Sequence, residues 1–93
     1  MRFAWDKNKA DTNLIKHGVS FDEATTVFGD PFSDAFPDPD HSVAEKRFVI
    51  IGSSEEGTIL VVAHTDDGDM VRIISAREAT RAERKAYEED RKR

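Results

Sequence analysis

Lys46-Arg47-Phe48-Val49-Ile50-Ile51-Gly52-Ser53-Ser54-Glu55-Glu56-Gly57-Thr58-Ile59-Leu60-Val61-Val62-Ala63-His64-Thr65-Asp66-Asp67-Gly68-Asp69-Met70-Val71-Arg72-Ile73-Ile74-Ser75-Ala76 reads as three strands and two turns. The strands are Lys46–Ile51, Thr58–Thr65 and Met70–Ala76, rich in the Val and Ile that suit a pleated, packed surface. Ser53–Gly57 makes the first turn. Asp67-Gly68 sits at the centre of the second and is a strong hairpin signal. The middle strand is almost continuously apolar, which predicts a central strand covered on both faces. An antiparallel meander is therefore the core of the fold.

The flanks add helices at both ends. Arg2–Trp5 reads as a short strand, with Asp6 as the N-cap of a helix from Lys7 to Lys16. Its apolar stripe is thin: Ala10, Leu14 and His17. His17-Gly18 ends that helix. Ser20 and Glu23 form a capping box for a second helix, whose apolar face is Phe21, Ala24, Val27 and Phe28. Gly29-Asp30-Pro31 stops it. Phe32–Phe36 alternates weakly and predicts a short edge strand. Pro37-Asp38-Pro39-Asp40 then forms a rigid acidic loop. Thr80 and Glu83 make a second capping box and open the last helix. Ala79, Ala82 and Ala86 give that helix a small-residue docking stripe beside Tyr87, and Glu88–Arg93 is fully charged and expected to fray. The order is β, α, α, β, β, β, β, α, in one α+β domain over residues 1–93.

Composition narrows the function. The 93-residue chain has no cysteine, hence no disulfide or thiolate chemistry, which fits a reducing compartment. No apolar run approaches the ~20 residues of a membrane span, and Met1-Arg2-Phe3 does not open a secretory signal. A cytoplasmic location is expected. The net charge of −5 argues against non-specific nucleic-acid binding and fits an acidic protein that docks a basic partner. The charge is unevenly spread. Asp30, Asp34, Asp38 and Asp40 make the middle acidic, and Arg72, Arg77, Arg81, Arg84, Lys85, Arg91, Lys92 and Arg93 make the end basic.

His17, His41 and His64 are too widely spaced for a metal motif, and the four aspartates lack the spacing of a calcium loop. Gly52-Ser53-Ser54 is followed by Glu55-Glu56, which would repel a nucleotide phosphate. No cofactor is expected. The C-terminal hairpin is the remaining candidate. A two-residue turn at Asp67-Gly68 puts His64 opposite Val71 and Ala63 opposite Arg72, so His64 and Arg72 face opposite sides unless a bulge intervenes. Arg72 interrupts an apolar strand, and Arg77 leaves its end. A histidine, an arginine and a carboxylate form a workable ribonuclease set. Histidine moves protons near neutral pH, arginine forks onto phosphate, and the RNA 2′-hydroxyl is an internal nucleophile. A half-buried structural histidine and an ion-paired arginine are the competing readings.

Segments over nearly the whole chain resemble the BrnT toxins of bacterial type II toxin–antitoxin pairs. They are Phe3–Ala10, Asn13–Ala24, Val27–Pro31, Arg47–Gly52, Leu60–Thr65 and Arg72–Thr80, with Glu83 and Tyr87. The resemblance implies a RelE-like α+β fold, an antiparallel β-sheet with two N-terminal helices and one C-terminal helix. It implies an endoribonuclease that arrests translation, and with no metal motif in the chain a metal-independent one is expected. It implies a BrnA-like ribbon-helix-helix antitoxin that supplies the DNA contacts of an autoregulatory complex, the toxin binding no DNA sequence itself. The family's functional positions fall on His64, Arg72 and Arg77, with His64 moving protons and the arginines holding the phosphate. A non-catalytic protein that only binds a ribbon-helix-helix partner is the alternative, and a folded but chemically silent toxin is a third reading.

Overall fold

The computed structural model describes residues 1–39 and 46–91. Asp40 of the acidic loop, His41, Lys92 and Arg93 lie outside the described residues. The elements are β1 (Arg2–Ala4), α1 (Lys7–His17), α2 (Phe21–Thr26), a 3-10 turn (Val27–Gly29), β2 (Asp34–Pro37), β3 (Arg47–Ser53), β4 (Ile59–Asp67), β5 (Met70–Glu78) and α3 (Arg81–Arg91). They follow the expected order.

The sheet order is β1-β5-β4-β3-β2. Strands β2 to β5 are antiparallel neighbours, as the meander requires, and β1 joins the free edge of β5 in parallel. The sheet is therefore mixed. A parallel pair needs a long connection, and α1, α2, β2, β3 and β4 supply it between β1 and β5.

The second turn differs from the expectation by one residue. Asp67 pairs with Met70, so Gly68-Asp69 are the two turn residues. Gly68 takes φ +67°, while among the described residues no non-glycine has a positive φ. A two-residue hairpin that needs left-handed backbone only at its first central position is the II′ type, which favours glycine there. The register also breaks between Ala63 and His64: His64 pairs with Ile73, but Ala63 pairs with Ser75. Ile74 is thus the extra residue of a bulge in β5.

The core lies on one face of the sheet, under α1 and α2. It contains Val19, Phe21, Ala24, Val27, Ile50, Leu60, Val62, Val71, Ile73 and Ala76, with Phe3, Trp5, Ala10 and Phe28 at its margin. Trp5 meets Phe21 edge-on at 5.9 Å. On β4 the residues of this face, Leu60, Val62 and His64, are buried, while Val61, Ala63 and Thr65 on the other face are only half-covered. The middle strand is central, but one of its faces is open.

Both helical ends correct the apolar stripes read from sequence. Leu14 is exposed, and Asn13 is the residue of α1 that is buried. The Asn13 carboxamide donates to the carbonyls of Ala76 (2.8 Å) and Val19 (3.0 Å) and accepts from the Ala76 amide (3.1 Å). β1 pairs with β5 only as far as Arg72. Beyond it, Asn13 takes the place of a neighbouring strand and satisfies both backbone groups of Ala76.

On α3, Ala82 and Ala86 are exposed and Tyr87 is buried. The helix is held by a polar stripe instead: Glu83, Tyr87 and Arg91. It runs to Arg91, whose guanidinium lies 5.3 Å from the Phe32 ring centre and 5.8 Å from that of Tyr87. These stacking contacts retain a segment that charge alone would let fray.

The two capping boxes are not equivalent. Thr80 and Glu83 exchange both bonds. Ser20 accepts from the Glu23 amide, but the Glu23 carboxylate accepts from the Ser54 hydroxyl instead of returning to Ser20. That half of the box ties α2 to the β3–β4 turn.

Candidate functional site: the open face of the sheet

The open face is built in cross-strand rows. One row runs Arg47, Thr65, Arg72 and Ala4; the next Phe36, Val49, Ala63 and Ser75; the next Asp34, Ile51, Val61 and Arg77. Regular alternation would put Arg72 and Arg77, five residues apart, on opposite faces. The bulge at Ile74 restores them to one face. One row lies between them, so they stand two row spacings apart, roughly 13 Å along the strand at about 3.3 Å per residue.

His64 stands on the other face. It is 3 % exposed, lies edge-on to Phe28 at 5.0 Å and stacks on Phe48 at 5.8 Å. Its Nδ1 is 3.2 Å from an Asp66 carboxylate oxygen, and its Nε2 is buried without a hydrogen-bond partner. Burial pulls its pKa below the usual histidine value, against the opposing pull of Asp66. The bulge lies beyond the His64–Ile73 pair, so it leaves His64 and Arg72 on opposite sides. Of the three residues singled out from sequence, the structure brings Arg72 and Arg77 to one surface and sets His64 in the core.

The arginines differ in environment. Arg72 is exposed and makes no ion pair among the described residues. Arg77 forks onto Glu83 of α3 at 2.8 and 3.1 Å. The bond to Arg77 is the main reason the Glu83 pKa falls to about 2, and the same bond raises that of Arg77. Arg77 therefore stays charged, but its fork is occupied.

Beside Arg77 the open face becomes a groove of about 790 Å³ between β2 and α3. Phe32, Phe36, Val49, Ile51 and Val61 supply its apolar surface, and Asp34, Asp38, Glu83 and Asp90 supply carboxylates.

Sequence reading missed the residue that anchors α3 next to this groove. Asp30 accepts from the amides of Phe32 (2.9 Å) and Ser53 (2.8 Å) and from the Tyr87 hydroxyl. Burial pushes its pKa up, but these donors outweigh it and hold the carboxylate below its ordinary value. Burial and the bond to Asp30 push Tyr87 up to about 12. A Cβ on Gly52 would come within 2.9 Å of the Ser33 Cβ and 3.1 Å of an Asp30 carboxylate oxygen. Gly52 thus permits the close approach that builds this junction. The only signal in sequence was Gly29-Asp30-Pro31 read as a helix stop.

Among the described residues, no three His, Cys, Asp or Glu side chains cluster as metal ligands. None of the described helices is long and apolar enough to cross a membrane.

A family profile described as "Ribonuclease toxin, BrnT, of type II toxin-antitoxin system" matches residues 5–83. The fold is similar to the crystal structure of the Brucella abortus ribonuclease toxin BrnT, with a TM-score of 0.68 and 27 % identity over 87 % of this chain and 99 % of that one. No curated protein sequence matches the chain. The match spans helices α1 and α2, the whole sheet beyond β1 and the start of α3, including Asp30, Arg72, Arg77 and Glu83, and stops short of Tyr87. The chain belongs to the family of BrnT ribonuclease toxins of type II toxin–antitoxin systems.

Proposed function

We propose that this chain is an endoribonuclease that cleaves RNA on the open face of its sheet and is neutralised by a BrnA-like ribbon-helix-helix antitoxin. The observation that carries the reading is the shared face of Arg72 and Arg77, produced by the bulge at Ile74. Two arginines rooted roughly 13 Å apart along one strand, each on a long flexible stem, can both reach the backbone of one RNA segment. In this reading the 2′-hydroxyl gives its proton to solvent, attacks the adjacent phosphorus and displaces the 5′-oxygen, which takes a proton from solvent, leaving a 2′,3′-cyclic phosphate and a 5′-hydroxyl. The arginines stabilise the charge that grows on the phosphoryl oxygens. No metal is required, because the nucleophile belongs to the substrate.

His64 has a structural role in this account. A base must reach the proton it moves, and His64 is buried on the far face between Phe28 and Phe48. Arg72 carries the larger share of phosphate binding, since Arg77 must yield part of its fork on Glu83 to touch RNA.

The test is cleavage of RNA, with and without ribosomes and in EDTA, by partner-free protein. Cleavage that persists in EDTA and falls in Arg72→Ala supports the reading. An inert wild type favours the alternative, a non-catalytic partner of a ribbon-helix-helix protein.

A further inference from the structure

Beyond Arg77, the groove between β2 and α3 does not suit RNA. Asp34 and Asp90 line it without an ion pair among the described residues, and the fork of Arg77 is taken up by Glu83. A phosphate backbone entering the groove would meet uncompensated carboxylates. Most of its remaining surface is apolar. Phe32 is 53 % exposed and Phe36 45 % exposed, and both line the groove together with Val49, Ile51 and Val61. A contiguous apolar patch rimmed by charge marks a protein interaction surface. The acidic rim selects the sign of the partner.

We infer that this groove is the docking site for a basic amphipathic segment of the antitoxin, with apolar side chains seated on Phe32, Phe36 and Val49 and Lys or Arg side chains on Asp34 and Asp90. The inference rests on the toxin–antitoxin reading above and adds the place and the chemistry of the contact. It also supplies a route to neutralisation. A segment lying in the groove covers Arg77, which lines it, while the Arg47–Thr65–Arg72 row remains beside it. One of the two RNA-facing arginines is then closed to substrate.

The test uses the purified antitoxin and full-length protein carrying Phe36→Ser or the double change Asp34→Lys/Asp90→Lys. All three positions are exposed, so the variants fold, and a thermal melt verifies this. Each variant is expected to bind the antitoxin at least tenfold more weakly than wild type. Wild-type binding weakens as salt rises, and the charge-reversed variant loses that salt dependence. The charge-reversed protein, free of partner, is expected to cut RNA at the wild-type rate or faster. Wild-type affinity for the antitoxin in both variants overturns the proposal. So does a Phe36→Ser variant that loses RNA binding but retains the antitoxin, which would make the groove an RNA surface. A wild type that cuts no RNA removes the ribonuclease reading alone, since antitoxin affinity decides the docking site independently.

Discussion

Arg72 and Arg77 share a face of β5 because Ile74, between them, has no partner on β4. Without that extra residue the chain could present one arginine to the open face only by turning the other toward the helices. The bulge is thus the device that makes a two-arginine surface on a single strand, a recurrent use of bulges beside functional sites. Removing a phosphate-holding arginine should cost about 1.4–4 kcal/mol of transition-state stabilisation, or roughly tenfold to a thousandfold in rate. We expect Arg77→Ala to lose cleavage within that range.

Glu83→Gln separates the two jobs of Arg77. Glutamine can still close the capping box with Thr80, but the ion pair is lost. Because both partners are more than a third exposed at the side chain, the stability cost should not exceed about 1 kcal/mol. Arg77 is released toward solvent, so cleavage should be retained or increased. A fall in cleavage at unchanged stability would show that Glu83 itself acts on the substrate.

His64 predicts a pH dependence of stability. Its folded pKa lies below its unfolded value because burial penalises the imidazolium. The unfolded chain therefore takes up a proton first as pH falls below about 6.5. Stability should be full above that pH and decline below it. Between about pH 6.5 and 4.5 the decline should be smaller in His64→Phe, which cannot bind the proton, whereas below about 4.5 the depressed pKa of Glu83 adds its own loss. Denaturant melts of both proteins across this range check the sign. His64→Ala should lower the melting temperature by opening a gap between Phe28 and Phe48, yet leave cleavage per folded molecule intact. Loss of cleavage with an unchanged melt would return His64 to the chemistry.

Asn13→Ala should be among the most damaging changes. It leaves the amide and carbonyl of Ala76 buried without partners, at a cost of about 2–4 kcal/mol. For a domain of this size that corresponds to a fall in melting temperature of roughly 10 °C or more. Leu14→Ala, one position along the same helix, should change it little, because Leu14 is exposed.

The element order was legible because the local signals agreed: Asp6 and Ser20 cap their helices, Thr80 and Glu83 complete a box, and Gly68 turns the hairpin. The open face was less legible. Periodicity assigns β4 to the centre but cannot say that only one of its sides is fully covered. The bulge carries no signature in Ile73-Ile74-Ser75, since its cause is three-dimensional: β5 must meet β1 on one stretch and Asn13 on the next. Counting apolar residues also hid the anchors. Asn13, Asp30 and Glu83 hold elements together through hydrogen bonds, and a reading that looks for Leu and Ala stripes passes over them.

The most direct test of the account is the RNA cleavage rate of Arg72→Ala relative to wild type, measured on partner-free protein in EDTA, with thermal melts on the same samples. Arg72 is exposed and unpaired among the described residues, so its removal should leave the melt unchanged. The expected result is a loss of tenfold to a thousandfold in rate, as for about 1.4–4 kcal/mol of electrostatic stabilisation, at an unaltered melting temperature. An Arg72→Ala protein that cuts RNA at the wild-type rate would contradict the assignment of the open face as the catalytic surface.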